Sequence, residues 1–524
     1  MNGFPWLTLL LFAPIVFAIV VAAVPARPLL SKQLALALSL VVLAFSIVIA
    51  VRFDPHGGMQ FQESHEWIRS FGAHYALGVD GLGLTLVLLT TILTPVVILA
   101  SWHDGDRVGG AGFGAGLRPE PRWGTRSFFA WLLALEGLAI GCFIATDVFL
   151  FYVLFEAVLI PVYFLIGGFG GFGRARAAVK FLLYSLTGGL IMLAAVIGVY
   201  VESAKVAGHP TYLLSDLTRM DLGQDVSRWL FVGFFIAFAV KAPIFPVHTW
   251  LPDACEQATP GTNTLLVSVL DKIGSFGMIR FGLELFPGAA KWATPVVIVL
   301  AIISIIYGAL MAIGSNNIPR LIAYTSVSHF GFIVLGIFVM NSQGLVGANL
   351  YMFAHGLSTA AVFLTGGFLA TRRGSALISD MGGIEKVAPV LAGFFLVANL
   401  SLLSLPGLSP FVPELLVIIG AFVHSAWAAA FAVTGIVLAA MYALILYQRT
   451  MTGPTHPEAA GMRDLNVREV VAVAPVVALL VVLGFFPKPL TAVLNPSVDH
   501  TMSQVGRTDP APTVPQATTE GSAQ

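Results

Sequence analysis

Apolar runs of about 20 residues alternate along this chain with short polar segments, and that is the length at which a helix crosses a hydrocarbon core of ~30 Å. The runs fall at 5–24, 32–52, 78–101, 126–145, 147–167, 177–201, 229–253, 259–285, 292–314, 318–339, 344–370, 388–420, 426–450 and 468–487, fourteen in all. Little more than Thr146 and Asp147 separates the two runs between 126 and 167. That spacing predicts a tight hairpin, with Asp147 capping a helix N-terminus. The first run, MNGFPWLTLLLFAPIVFAIVVAAV, lacks a basic leader and is too long for a signal-peptide core, so it reads as a span.

Two runs are interrupted by proline: Pro243, Pro246 and Pro252 in one, Pro406, Pro410 and Pro413 in the other. Proline removes an amide donor and clashes with the preceding turn. Unwound backbone at membrane depth survives only inside protein or beside a watery cavity. Paired broken spans in matching halves point to a transport path built from repeats. Glu156 to Lys241 and His329 to Glu414 are both 85 residues, an offset of 173 between halves, although the prolines do not superimpose and Lys272 falls on Ile445. The expected fold class is an all-α polytopic membrane protein of about 14 transmembrane helices. It would hold two inverted five-helix repeats, each containing a proline-broken helix. The expected division is 1–125 (three spans and a Gly-rich loop), repeats at 126–285 and 292–450, a last span at 468–487, and a disordered tail at 488–524 that is rich in Pro, Thr, Ser and Gln.

Composition sharpens the class. The chain is 57% hydrophobic and 10% charged, against about 25% charged in soluble domains. Its net charge is zero, which implies no nucleic-acid partner. Cys142 and Cys255 lie in or beside spans and form neither a disulfide framework nor a metal site. Sixteen of the 27 Lys and Arg flank loops on one side and nine the other, with Lys241 and Lys272 on neither. The positive-inside bias then puts both termini outside the cytoplasm. The GGAGFGAG segment at 109–116 has no Lys-Ser/Thr after it and reads as a connector, not a phosphate cradle.

Several ionisable residues sit in this apolar background. Lys241 follows the run Trp229–Val240, where a lysine costs roughly 2.5 to 3.5 kcal/mol to insert. Lys272, Glu136, Glu156, His329, His355 and Glu414 lie in similar surroundings. Buried charges of both signs spread over many helices point to a proton or ion path. A carboxylate near a desolvated lysine lets that lysine load and release a proton. His329 and His355 have Ser, Thr and Tyr neighbours able to hold relay water, and imidazole titrates near neutral pH. His248 sits toward the cytoplasmic end of the first broken run and is a candidate for proton entry. Asp253 and Glu256 either attract protons at that mouth or cap the next helix. Asp271 projects about 100° from Lys272 on a helix, as a partner inside the chain or toward another subunit.

At these residues a resemblance enters. VKAPIFPVHTWLPDACEQATP, LFYVLFEAVLIPVYFLIG, RLIAYTSVSHFGFIVLG and LSLPGLSPFVPELLVIIGAF resemble the antiporter-like subunits of the proton-pumping NADH–quinone oxidoreductase, respiratory complex I. The likeness runs from about residue 75 to 487. It implies that Glu156 and Lys241 form the Glu–Lys pair of a first half-channel and that Lys272 is the connecting lysine. It further places His329 and His355 on a central polar axis and makes Glu414 the exit residue. Sister subunits usually carry lysine at that last position, and the lateral helix of the L type would need a longer C-terminal extension, so the resemblance favours the M-type branch.

The function this implies is proton translocation through two half-channels, driven by quinone reduction in other subunits. The chain would be part of an enzyme without doing redox chemistry itself. Glu136, Glu156, Lys241, Lys272, His248, His329, His355 and Glu414 are the expected proton-transfer groups. No cofactor is expected in this chain; FMN, iron–sulfur clusters and quinone belong to partner subunits. The implied partners are the sister subunits L and N and lipids, in a bacterial plasma membrane. The alternatives are a subunit of a multi-subunit Na⁺/H⁺ antiporter or of a membrane-bound hydrogenase. A lone solute transporter would cluster its polar groups at one point, and a structural anchor has no use for two buried lysines.

Overall fold

The structure, a computed structural model, describes residues 4–24, 27–106 and 118–510. The 109–116 connector and the end of the chain from 511 lie outside the described residues. Helices α1 (Trp6–Ala23) and α2 (Pro28–Arg52) are followed by strands β1 (Gln60–Ile68) and β2 (Ala73–Val79). Then come α3 (Gly81–Ala100), α4 (Thr125–Ile144), α5 (Val148–Ala157), α6 (Leu159–Phe169), α7 (Arg174–Ala207), the single turn α8 (Leu214–Leu217) and α9 (Gln224–Lys241). α10 (Trp250–Gln257), α11 (Pro260–Leu265), α12 (Asp271–Gly277), α13 (Pro287–Ile313), α14 (Ile318–Phe338) and α15 (Ser342–Arg373) form the centre of the chain. α16 (Pro389–Leu402), α17 (Phe411–His424), α18 (Ala426–Met451), α19 (Val467–Phe485) and α20 (Lys488–Val505) complete it. Leu266–Leu270 and Met278–Leu283, on either side of α12, are π-helical.

Among the described residues eleven helical stretches are long and apolar enough to cross a membrane, with α5 and α6 counted as one. α14 and α15 are buried along their whole apolar windows, whereas α1, α2, α7, α18 and α19 expose most of theirs. The polar side chains on α14 and α15 are therefore sealed inside protein, and the exposed apolar flanks suit contact with lipid. Asp147 accepts from the Leu150 amide at 2.9 Å and caps α5 as expected.

Three expectations need correction. First, an antiparallel hairpin, β1 with β2, fills part of the segment between the second and third runs. Its Glu63 accepts from the Leu7 amide at 2.7 Å and so caps α1, whose own preceding residue is Pro5. Second, residues 488–505 are helical rather than disordered. Leu494, Val498, Met502 and Val505 recur at helical spacing and are buried, and α20 packs against α3 and α15. Arg280 ties this region together by pairing with Asp80 at 2.6 Å and Glu284 at 2.9 Å, while Thr501 on α20 donates to Glu284 at 2.7 Å. Third, the matched 85-residue spacing does not mark equivalent positions. Lys241 and Leu402 end the first parts of the broken runs, and Trp250 and Phe411 begin the second parts, displaced by 161 residues in both cases. Lys241 thus precedes its break, and Glu414 lies in the first turn after the other.

Candidate functional site

The two breaks, at 242–249 and 403–410, free backbone groups that polar side chains then satisfy. In the first, Trp250 Nε1 donates to the Val240 carbonyl at 2.9 Å and Lys180 Nζ to the Thr249 carbonyl at 2.8 Å. The Ser304 hydroxyl accepts from the Phe245 amide at 2.8 Å. In the second, the Leu402 carbonyl faces His329 Nε2 at 3.1 Å, while the Ser409 amide is met by backbone, donating to the Leu480 carbonyl at 2.8 Å.

Lys241, the last residue of α9, is fully buried. Its ammonium donates to the Phe155 carbonyl at 3.5 Å and lies 4.5 Å from the Phe155 ring centroid. Glu156, next to Phe155, acts on it electrostatically, but no ion pair within 4.0 Å joins them among the described residues. Glu156 Oε1 is buried without a hydrogen-bond partner. In this position the carboxylate lies against Gly189 on α7, where a Cβ would collide with that oxygen and displace it.

Beyond Lys241 a line of buried polar side chains begins. Lys272 Nζ donates to the Val267 carbonyl at 2.9 Å and lies 2.6 Å from His355 Nδ1 and 4.6 Å from the Phe330 centroid. Val267 belongs to the π-helical stretch, whose wider turn aims its carbonyl at a lysine five residues on. The His355 and His329 ring centroids are 5.1 Å apart. His329 Nε2 meets the Tyr442 hydroxyl at 3.0 Å. Tyr351, one turn before His355, packs at 5.9 Å from His329 and donates to Glu414 Oε2 at 2.8 Å. Ser404, inside the second break, donates to the same oxygen. Ser268 with Thr359 at 2.9 Å and Ser358 with Ser401 at 2.6 Å flank the line.

The structure thus brings Lys272, His355, His329 and Glu414 together, with Lys241 and Glu156 at one end. Glu136 stands apart on α4, buried, with neither carboxylate oxygen hydrogen-bonded. His248 is buried at 5.1 Å from the Tyr307 ring, with both ring nitrogens unpartnered. Asp253 pairs with Lys180 at 2.6 Å and Arg320 at 2.8 Å, and Glu256 with Arg320 at 2.9 Å, so both are held in an ion cluster and cap no helix. Tyr351, Tyr442 and Ser404 are members of the line that sequence reasoning missed. The signal for Tyr351 was its place four residues before His355 on one helical face.

Residues 145–439 match the family described as NADH:quinone oxidoreductase/Mrp antiporter, TM. NADH-quinone oxidoreductase subunit M of Mycobacterium tuberculosis (strain ATCC 25618 / H37Rv) is 50% identical over 98% of this chain and 97% of its own length. The subunit M of Rhodobacter capsulatus is 38% identical over 94% of this chain and 96% of its own. A chain of respiratory complex I from Thermus thermophilus with bound NADH superposes with a TM-score of 0.85 at 31% identity, covering 96% of this chain and 100% of that one. A chain of the Mrp complex from Dietzia sp. DQ12-45-1b superposes at 0.82 with 21% identity, covering 96% of this chain and 100% of that one, a likeness of fold.

Proposed function

Since this chain belongs to the NADH:quinone oxidoreductase/Mrp antiporter transmembrane family, and within it is an M-type antiporter-like subunit of NADH–quinone oxidoreductase, we propose that it carries protons through two half-channels joined by the buried line from Lys241 to Glu414. The observation that carries this reading is the closely packed run of side chains Lys272–His355–His329, with Tyr351 beside His329 and bonded to Glu414, buried at α12, α14 and α15. Titratable groups kept from lipid at membrane depth mark ion pathways and proton relays, and a closely packed file of Lys, His and Glu suits the second.

Protons enter from the cytoplasmic side near the first break, past the Asp253–Lys180–Arg320 cluster and His248. They load Lys241, whose charge is balanced by Glu156, with Glu136 as a further carboxylate on the neighbouring α4. They reach Lys272, cross by His355 and His329, and leave past Glu414. The drive is electrostatic: moving a charge toward Glu156 or away from it alters how firmly Lys241 holds its proton. Quinone reduction, with FMN and iron–sulfur clusters, belongs to partner subunits. The sister subunits L and N are the neighbours, and the chain sits with lipids in a bacterial plasma membrane with both termini extracytoplasmic. The three composite runs α9–α10, α11 to Leu283 and α16–α17 add crossings to the eleven long ones, for fourteen. The two eight-residue breaks support a pair of inverted repeats at 126–285 and 292–450, beside 1–125 and 468–487.

The test is Lys241→Ala or Glu156→Ala in the assembled complex, with NADH-driven acidification measured in inverted vesicles. Loss of acidification with an intact complex is expected. Full proton pumping by both variants sinks the reading.

A further inference from the structure

Asp271 and Lys272 open α12 directly after the π-helical stretch. Successive helical residues diverge by about 100°, so the two side chains leave the helix in different directions, and the packing of α12 shows which. One turn after Asp271, Gly274 lies against the end of α9, where a Cβ would meet the Ala242 amide and the Phe238 carbonyl. Asp271 shares that face, the one turned to the segment carrying Lys241. Lys272 projects about 100° round the helix from Asp271, toward α15, where its ammonium meets His355 at 2.6 Å and the neighbouring Ser268 pairs with Thr359 at 2.9 Å.

Asp271 is fully buried, and neither carboxylate oxygen has a hydrogen-bond partner. It acts electrostatically on both Lys272 and Lys241. A buried carboxylate without donors is tolerated only when a nearby cation or a bound proton neutralises it. Among the described residues no hydrogen bond links Lys241, which donates to Phe155, with Lys272, which contacts Val267 and His355, and Asp271 stands beside Lys272 in this gap.

We propose that Asp271 is the proton carrier that closes this gap, passing protons from Lys241 to Lys272; this rests on the half-channel reading above. In the first step an N–H bond of the Lys241 ammonium breaks as an O–H bond forms on Asp271, turning ammonium and carboxylate into amine and carboxylic acid. In the second, that O–H bond breaks as an N–H bond forms on neutral Lys272, restoring the carboxylate and leaving an ammonium beside His355. One proton moves and no electron is exchanged. Rotation of the short side chain, or a water between the groups, spans the distance.

The experiment compares Asp271→Asn, Asp271→Glu and Lys241→Ala in inverted vesicles holding the complete complex. D271N lowers the initial acidification rate per assembled complex by about tenfold, D271E restores most of it, and infrared difference spectra show a carboxylic C=O signal that D271E displaces and D271N removes. Full acidification by D271N beside an inactive K241A overturns the role of Asp271 and leaves the half-channel reading standing. Full acidification by both overturns both. Equal loss in D271N and D271E at normal assembly makes the carboxylate a packing element and overturns the proposal. Should D271N not assemble, the native and D271E spectra decide, and a carboxylic signal that does not move between them overturns it.

Discussion

Tyr351→Phe isolates one contact of the exit. Glu414 is buried, and its hydrogen-bond donors are the Tyr351 phenol at 2.8 Å and the Ser404 hydroxyl, both on Oε2. Among the described residues no cation lies within 4.0 Å of it. Phenylalanine keeps the ring against His329 at 5.9 Å and Phe332 at 6.4 Å, so folding and assembly are retained. What is lost is a hydrogen bond to a group that carries charge in half of its cycle, worth roughly 1.5–3 kcal/mol. Because about 1.4 kcal/mol is a factor of ten, the step through Glu414 slows by roughly ten- to 150-fold. The assay is the initial rate of dye quenching in inverted vesicles per assembled complex, with uncoupled NADH oxidation measured alongside. Ser404→Ala removes the other donor, and the double variant tests whether the two act on one oxygen, since losses through a shared partner do not add. A Y351F complex that pumps within twofold of the parent refutes the reasoning.

Other consequences of the geometry are as direct. Gly189→Val drives a side chain into Glu156 and costs about 1–3 kcal/mol of packing; pumping should fall while uncoupled electron transfer is kept, and unchanged pumping would show that Glu156 does not need its place. Arg280→Met leaves Asp80 and Glu284 as unpaired buried carboxylates, a loss of about 3–5 kcal/mol. Thermal inactivation of the purified complex at a clearly lower temperature is the expected result, and an unaltered profile counts against it. Asp106, in the loop after α3, is raised by burial, but bonds from His103, Lys32 and Thr125 outweigh this and hold it at about 2. A carboxyl held below its unfolded value of ~3.9 stabilises the fold above that pH, and the contribution fades as pH falls toward the folded value. Asp106→Asn should therefore weaken the native state at neutral pH and flatten its pH dependence in that acid window, as read by proteolysis of the 101–125 loop.

The helical, many-span character was legible because hydrocarbon demands long apolar runs, and those runs need no long-range contact to be seen; eleven helical stretches among the described residues meet that demand. The same holds for Lys241, Lys272 and Glu414, which stand out against their neighbours. The polar line was legible only in part. Tyr351 and Tyr442 pass for aromatic filler until the hydroxyl partners are in view, because half of a tyrosine is as apolar as phenylalanine. The broken runs were visible from proline, as was the place of Lys241 just before one break and of Glu414 just past the other, but the ends of the helices were not, and the matched spacing of Glu156–Lys241 and His329–Glu414 misled for that reason. α20 was hidden by composition: Pro489, Thr491, Pro496 and Ser497 look like a tail, and only the burial of Leu494, Val498 and Met502 reveals the face that docks. The hairpin β1–β2 carries polar residues at most positions of its first strand, which reads as a loop between spans until its pairing with β2 is in view.

The widened turns on either side of α12 have a consequence for the arithmetic of the chain. Each holds more residues than an ordinary turn would, so the helix before and the helix after are out of phase with a continuous α-helix. Deleting one residue between Leu266 and Leu270 would relax that stretch to regular pitch with its flanking helices nearly in phase, and would remove the widened turn that aims the Val267 carbonyl at Lys272 Nζ, loosening the ammonium beside His355 without changing any functional side chain. The conduit depends on a count of residues as much as on their identities, and a length change of one here is a more severe event than most substitutions in it.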